Sequence, residues 1–286
     1  MVELKLADAE QKRLVYYLSM EEWAAEHLDE ICGAASPKSS ISVETGGAES
    51  PKSSDSVFFL WQVPPTVIFG RNQDMAAEVD VDYCKKHGIA TWRRKSGGGC
   101  VYSDYGNIML SFVRKGSDVT EVFRKCLDDL AACLRSLGIP AEVSGRNDIL
   151  VDGKKVSGNA FSFKPSHPAT RMLPQRLYDV CIIHGTLLYD LDFSEMSKAI
   201  TPSKAKLESK AVHSVEQRVL NLKSLLDERN IGIDALKSAL ISYFCQSEYV
   251  MTPEQERQVD EIEQSYLDPD FIRGRHIANG TASDAL

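Results

Sequence analysis

Residues 147–160 read NDILVDGKKVSGNA. Two apolar, β-branched runs flank Asp152-Gly153, and Asp-Gly between such runs is a strong signal for a two-residue hairpin. So short a loop leaves no slack in the register. Val151 is expected opposite Lys154, Leu150 opposite Lys155, Ile149 opposite Val156, and Asp148 opposite Ser157. Opposed residues share a face, and faces alternate along each strand. One face would carry Ile149, Val151 and Val156, with Lys154 at its solvent end. The other would carry Asp148, Leu150, Lys155 and Ser157, with the bare backbone of Gly158 beside them. A cation, a carboxylate, a hydroxyl and open backbone suit a nucleotide phosphate and its metal. The plainer reading is a surface ion pair on a hairpin, worth at most ~1 kcal/mol.

A second stretch asks for the same kind of ligand. Residues 93–107, RRKSGGGCVYSDYGN, set three cations directly against three glycines. Glycines admit a close approach of backbone to ligand, and the cations select an anion. Neither G-x-x-x-x-G-K-[ST] nor G-x-G-x-x-G occurs, so the common phosphate-binding loops are excluded. The formal net charge of -8 argues against broad nucleic-acid binding while permitting a small basic pocket. The seven cysteines form no C-x-x-C and the six histidines no H-E-x-x-H, which leaves reduced thiols and no zinc motif. The N-terminus lacks the apolar core of a secretory signal, and no apolar run approaches the ~18 residues of a membrane span. A cytoplasmic protein is expected, with neither membrane nor nucleic acid as partner.

Elements come in blocks. Helical periodicity is read at 13–31, 79–87, 120–138, 193–199, 215–227, 233–245 and 253–265. Strands are read at 57–63, 66–70, 89–94, 107–113, 141–144, 148–151, 154–163 and 178–190. This order predicts an α+β fold: a mixed, mostly antiparallel sheet flanked by helices, with the helices packed on one side. Residues 33–56, rich in Ser, Gly, Pro and Ala, repeat SPKSS and lack aromatics, so they are expected to be a flexible insertion. Residues 1–250 are expected to form one catalytic domain, and 251–286 a C-terminal helix and loose tail.

Five segments recur in an informative order: RRKSGGGCVYSDYGN, GRNDI, GKKVSGNA, HGTLL, and ITPSKAKLESKAVHSVEQRVLNL at 200–222. This series resembles the lipoate–protein ligase A family, relatives of the biotin protein ligases, from about residue 13 to residue 250. The resemblance implies the biotin/lipoate ligase-like catalytic fold. It also implies a two-step reaction. ATP and lipoate give lipoyl-adenylate, and the lipoyl group then passes to a lysine of a lipoyl-domain protein, a 2-oxo acid dehydrogenase E2 or a glycine cleavage H protein. Carried onto this chain, the family pattern makes Lys155 the catalytic cation. Arg94 would orient pyrophosphate or carboxylate. Ser96, Gly97, Gly98, Gly99, Val101, Ser157, Gly158, Ala160, His184 and Thr186 would line the substrate and nucleotide pocket. Asn147 and Asp148 would face the adenylate, Asp148 also Mg²⁺. Leu18, Val101 and Tyr102 would form the acyl slot.

Two departures stand out. Ser103 replaces the family histidine after the glycines, and Cys100 replaces a small residue. The related cysteine-dependent acyltransferases carry a nucleophile before the hairpin, where this chain reads EVSGRND without one. An acyltransferase using preactivated or carrier-bound acyl groups is the alternative. The family's usual C-terminal accessory domain is not expected after residue 250, so either the catalytic domain works alone or a separate accessory chain supplies that function.

Overall fold

The computed structural model describes residues 1–7, 11–38, 55–145, 147–169, 175–201 and 218–274. In chain order the strands are β1 (Val2–Lys5), β2 (Ser36–Pro37), β3 (Ser56–Trp61), β4 (Thr66–Phe69), β5 (Ala90–Arg93), β6 (Val101–Ser103), β7 (Asn107–Lys115), β8 (Glu142–Ser144), β9 (Asp148–Val151), β10 (Lys154–Lys164), β11 (Val180–Leu188) and β12 (Ser247–Val250). The large sheet has the order β2-β12-β1-β3-β7-β11-β10-β9-β8, and a small sheet has the order β5-β4-β6. β1 runs parallel to both its neighbours, and β4 to β5; the other pairings are antiparallel. The expected mixed sheet is therefore present.

The helices cover both faces of the large sheet rather than one. Alternate residues of β7 show why. Ile108, Leu110 and Phe112 pack against Phe123, Leu127, Leu130 and Leu134 of the helix Val119–Ser136. Met109 and Val113 join the cluster formed with Leu14, Leu18 and Trp23 of the helix Leu14–Glu26, here called α1. An apolar run buried on both faces loses the alternation that reveals a one-sided sheet. Each large apolar side chain so buried contributes roughly 1.5–3 kcal/mol. The helix Val119–Ser136 begins where Asp118 accepts the Glu121 N–H at 3.0 Å and ends before Gly138, whose φ of 82° few other residues adopt.

Helix Pro253–Leu267 packs on α1, and Met251, Val259 and Tyr266 share its core. Trp23 Nε1 donates to Gln258 Oε1 at 2.8 Å, and Arg13 pairs with Glu263 at 3.1 Å. The helix expected after residue 250 is thus built into the same body as β1 and α1. Residues 275–286, the rest of the expected tail, lie outside the described residues.

Three expectations need correction. Of the proposed insertion 33–56, Gly33 and Ala34 end a helix, Ser36–Pro37 pairs with β12, and Ser56 opens β3. Lys38 bonds Gln246 through its backbone and ion-pairs with Glu3. Residues 39–54 lie outside the description. Among the described residues of the helix expected over 215–227, only Lys223–Asp227 is helical, because Val219 bridges Lys155 and the Leu220 N–H bonds the Lys155 carbonyl at 2.9 Å. Residues 202–217, most of the expected lysine loop, are outside the description.

The third correction concerns the hairpin. Asp152 and Gly153 both take positive φ, 49° and 74°, as a tight two-residue turn requires. Val151 pairs with Lys154 and Leu150 with Lys155, as the turn dictates. A bulge then intervenes, so Ser157 pairs with Ile149 and Gly158 with Asp148. Val156 is the additional residue. It and Ser157 are both fully buried, so the apolar face keeps its packing while Gly158 comes to lie opposite Asp148.

Candidate active site

The bulge decides which groups meet. Lys155, Gly158 and Asp148 share the outward face of the hairpin, and Lys155 Nζ lies 2.8 Å from Asp148 Oδ1. The ammonium lies across Gly158: a Cβ there would stand 2.4 Å from Nζ. Ser157, expected beside the lysine, instead turns inward and its Oγ accepts from Asn159 Nδ2 at 3.1 Å. The same face continues through Ala160, paired with His184, while Gly158 pairs with Thr186. Thr186 Oγ1 accepts the Gly158 N–H at 3.1 Å. Small residues on β10 thus form a floor, and Lys155 stands at one end of it.

The glycine segment arches over that floor from the small sheet. Its two arginines do different work. Arg93 is 1% exposed and donates Nε to the Ile272 carbonyl at 3.0 Å and Nη1 to the carbonyls of Gly70, Arg71 and Gln73 at 3.2, 2.7 and 2.8 Å. It ties the last helix, Pro269–Arg273, to the turn under the glycines. Arg94 is also buried. Its Nη2 donates to the carbonyls of Gly97 and Gly99, each at 2.7 Å, and its Nη1 to Ile68 at 3.4 Å. Burial pushes this guanidinium down to about 10, so it remains cationic at neutral pH. The expectation that Arg94 orients pyrophosphate or carboxylate meets a guanidinium whose hydrogen bonds hold the loop.

Two close approaches need glycine. A Cβ on Gly70 would lie 2.3 Å from the Gly98 carbonyl, and Gly98 itself has φ 93°. Gly97 and Gly99 face open space, leaving their backbone accessible. Val101 is half-buried against the α1 cluster. Tyr102, expected in the acyl slot, turns into the separate core beneath the small sheet. Ser103 is fully buried, accepts from Asn107 Nδ2 at 3.0 Å and contacts the Met109 sulfur. It therefore places no group over the floor. Asn147 donates Nδ2 to the Asn159 carbonyl at 2.8 Å, which fastens the loop to β10.

A buried polar chain that the sequence did not expose closes the other end. His184 Nδ1 lies 3.0 Å from Glu21 Oε2, and its Nε2 lies 2.8 Å from Ser96 Oγ. Ser111 Oγ donates to Glu21 Oε1 at 2.6 Å and accepts from Trp61 Nε1 at 2.9 Å. A proton on His184 Nδ1 donates to Glu21, which leaves Nε2 to accept from the Ser96 hydroxyl. Beside it, Glu22 contacts Lys95 at 2.8 Å, Lys164 at 3.1 Å and the Tyr266 hydroxyl at 2.6 Å. Burial alone would raise the Glu22 carboxyl, but Lys164 and Lys95, with hydrogen bonds from Lys95 and Tyr266, outweigh it and hold the carboxyl low. Leu18, Glu21, Arg94, Ser96, His184 and Tyr266 line a cavity of about 20 Å³, room for a single water molecule. The available signal was the Glu21-Glu22 pair inside the apolar segment LVYYLSMEEWAA.

Among the described residues no cluster of three or more His, Cys, Asp or Glu could hold a metal. Mg²⁺ commonly takes one or two carboxylates plus substrate phosphates, and the Asp148 carboxylate beside the Lys155 ammonium fits the protein's share of that donor set. No helix among the described residues is long and apolar enough to cross a membrane.

Residues 43–245 match the model of the lipoyl protein ligase A/B catalytic domain. Lipoate-protein ligase LplJ of Bacillus subtilis is 35% identical over 214 residues, covering 74% of this chain and 54% of that protein. Lipoate–protein ligase 1 of Staphylococcus aureus is 32% identical over 213 residues, covering 73% of this chain and 61% of that protein. The chain spans about half the length of several of the curated relatives it matches. A bi-partite lipoate protein ligase from Thermoplasma acidophilum superposes with a TM-score of 0.69 at 25% identity, covering 96% of each chain. With that match covering most of its length, and with the lysine hairpin facing a glycine segment on one floor, this chain belongs to the lipoyl protein ligase A/B catalytic-domain family.

Proposed function

We infer that the protein activates lipoate with ATP and transfers the lipoyl group to a lysine of a lipoyl-domain protein. The observation that carries this reading is the Lys155 ammonium lying over Gly158, on the floor that the glycine segment covers. The names of the relatives support it, and the Thermoplasma ligase was characterised with its E2 lipoyl domain. An E2 component and a glycine cleavage H protein are the acceptor classes proposed here. A separate accessory chain is proposed as a further partner and the cytoplasm as the location.

In the first step a lipoate carboxylate oxygen attacks the α-phosphorus of ATP, and the bond to the β-phosphate bridge breaks to release pyrophosphate. Charge grows on the α-phosphate oxygens, where a fixed ammonium stabilises it most in a site that excludes water. Lys155 supplies that ammonium. Gly97 and Gly99 let the nucleotide approach the loop backbone. In the second step the acceptor lysine amine, having lost its proton, attacks the acyl carbonyl and AMP departs. Lys155 then stabilises the developing carbonyl oxyanion. Asp148 would hold Mg²⁺, which when bound neutralises phosphate charge. Arg94 keeps the glycine segment in place, and Ser96, Val101, His184 and Leu18 shape the acyl end.

The test is intact-mass analysis of an apo lipoyl domain incubated with the protein, ATP, Mg²⁺ and lipoate, omitting each component in turn. A gain of one lipoyl group that requires ATP supports the reading. Acyl transfer from a preactivated donor, with none from ATP and lipoate, selects the acyltransferase instead.

A further inference from the structure

β1 lies between two strands that run parallel to it, and it pairs with them unequally. All four of its residues pair with β12, from Val2–Ser247 to Lys5–Val250, whereas its pairing with β3 stops after Val2–Val57 and Glu3–Phe58. Beyond that point β3 stays with β7 as far as Trp61. The carboxyl ends of β1 and β3 therefore part, and a crevice of about 510 Å³ opens between Leu4 and Leu6 on one side and Phe59 and Leu60 on the other. Tyr17 and Met20 of α1 close it on one face of the sheet, Ile241 of helix Ile233–Phe244 on the opposite face. Open sheets take ligands in crevices at the carboxyl ends of parallel strands, where the adjoining helices lie on opposite faces. The volume is that of a small-molecule site. Among the described residues, none lines both this crevice and the cavity beside His184 and Arg94.

The walls are apolar, and the charge that lines them is mostly positive. Two ammonium groups, Lys5 and Lys237, and one carboxylate, Glu3, contribute to the lining. Glu3 is already held by Lys38. The lysines pair outward: Lys237 with Asp234 at 2.7 Å, a carboxylate 87% exposed, and Lys5 with Glu248 at 3.2 Å. Exposed pairs of this kind are weak, so an incoming anion can take the place of either carboxylate. Lys237 also donates to Gln62 Oε1 at 3.0 Å, which steadies its head. We propose that the crevice binds an aliphatic monocarboxylate, its chain between Leu4 and Leu60 and its carboxylate on Lys237. This is a site apart from the one in which Lys155 acts. Its wall nevertheless reaches toward that one. Tyr17 stacks on Trp61 at a ring distance of 4.8 Å, and Trp61 Nε1 opens the hydrogen-bonded chain through Ser111 and Glu21 to His184. Trp61 thereby gives the crevice a reporter of its own.

Decanoate is the probe. It is titrated into the unaltered protein, followed by calorimetry and tryptophan fluorescence, and the titration is repeated with octanoate. Each methylene taken from water into an apolar wall tightens binding about fourfold, so decanoate is expected to bind about fifteenfold more tightly than octanoate. Lys237→Met keeps an apolar stem and removes the ammonium. It is expected to weaken decanoate about fivefold, the worth of a partly exposed ion pair, and to leave pyrophosphate release from ATP and lipoate unchanged. Absence of decanoate binding, or equal affinity in the folded variant, overturns the proposal. A crystal grown with ω-bromodecanoate locates the chain without any substitution. Bromine between Leu4 and Leu60 supports the assignment; bromine only in the cavity beside His184 and Arg94 overturns it. Lipoate, itself an aliphatic monocarboxylate, is then added to the decanoate complex to identify the source of the ligand. Displacement that Lys237→Met weakens in the same proportion makes lipoate the occupant, and no displacement makes it a fatty carboxylate; both are the proposed chemistry. Displacement indifferent to Lys237→Met places decanoate in the active site and overturns the proposal.

Discussion

Gly158 has no side chain, and Lys155 occupies the space one would fill. That pairing separates folding from chemistry at the residue scale. The Lys155 side chain is 37% exposed and its partner Asp148 36%, so their ion pair contributes at most ~1 kcal/mol to stability. Lys155→Ala is expected to leave the melting temperature nearly unchanged and to lower lipoyl-adenylate formation by about a hundredfold or more, the scale of losing one preorganised electrostatic donor. Pyrophosphate release and a thermal melt check both halves of that statement. Gly158→Ala makes a finer test. Its Cβ would meet the flexible end of a lysine rather than backbone, so the fold absorbs it while the ammonium is displaced. Adenylate formation is expected to fall about tenfold, with Lys155 still present, for a misplacement costing about 1.4 kcal/mol in the transition state. A Gly158→Ala enzyme with the unaltered rate would show that the position of the ammonium is not what matters.

Between elements, the join of α1 to helix Pro253–Leu267 is electrostatic where it borders the cavity. Glu22 of α1 accepts from Tyr266 and faces Lys95 and Lys164. Burial and the neighbouring carboxylate push the Tyr266 phenol well above its usual value, so it remains a donor. The Glu22 carboxyl, by contrast, is held below its usual value. A depressed carboxyl contributes stability that is present above the unfolded pKa and lost as pH falls through the folded one. Glu22→Gln is therefore expected to lower the melting temperature near neutral pH and to flatten the acid-side decline below about pH 4.3, the unfolded value for glutamate. Melts of both proteins from pH 7 to pH 3 measure this. An acid limb with unchanged slope would place the titrating group elsewhere.

On the scale of the whole molecule, the Ser/Pro/Gly segment enters between β2 and β3, where β2 pairs with β12 and β3 enters the central sheet. Deleting residues 39–54, with a short linker in their place, is expected to leave the melting temperature nearly unchanged and lipoyl transfer within about twofold, since the entropy of closing a connection changes only slowly with its length. A large loss of transfer alone would mean that the segment meets the acceptor. Much of this architecture was legible beforehand because it is local. Asp152-Gly153 determined a tight turn and the first two pairs of the hairpin, the stripe from Phe123 to Leu134 a helix, and the ordered segments the family. What the tertiary structure alone decided is non-local. The bulge that turns Ser157 inward and sets Gly158 opposite Asp148 satisfies the core on one face and the floor on the other, a compromise no single strand records. The chain from Trp61 through Ser111 and Glu21 to His184 and Ser96 joins residues from five segments. Ser96 and His184 stand in the motif segments, but nothing in the sequence joins them to Trp61, Ser111 and Glu21; burial makes the five mutual partners because an unpaired polar group there would cost more than the bond.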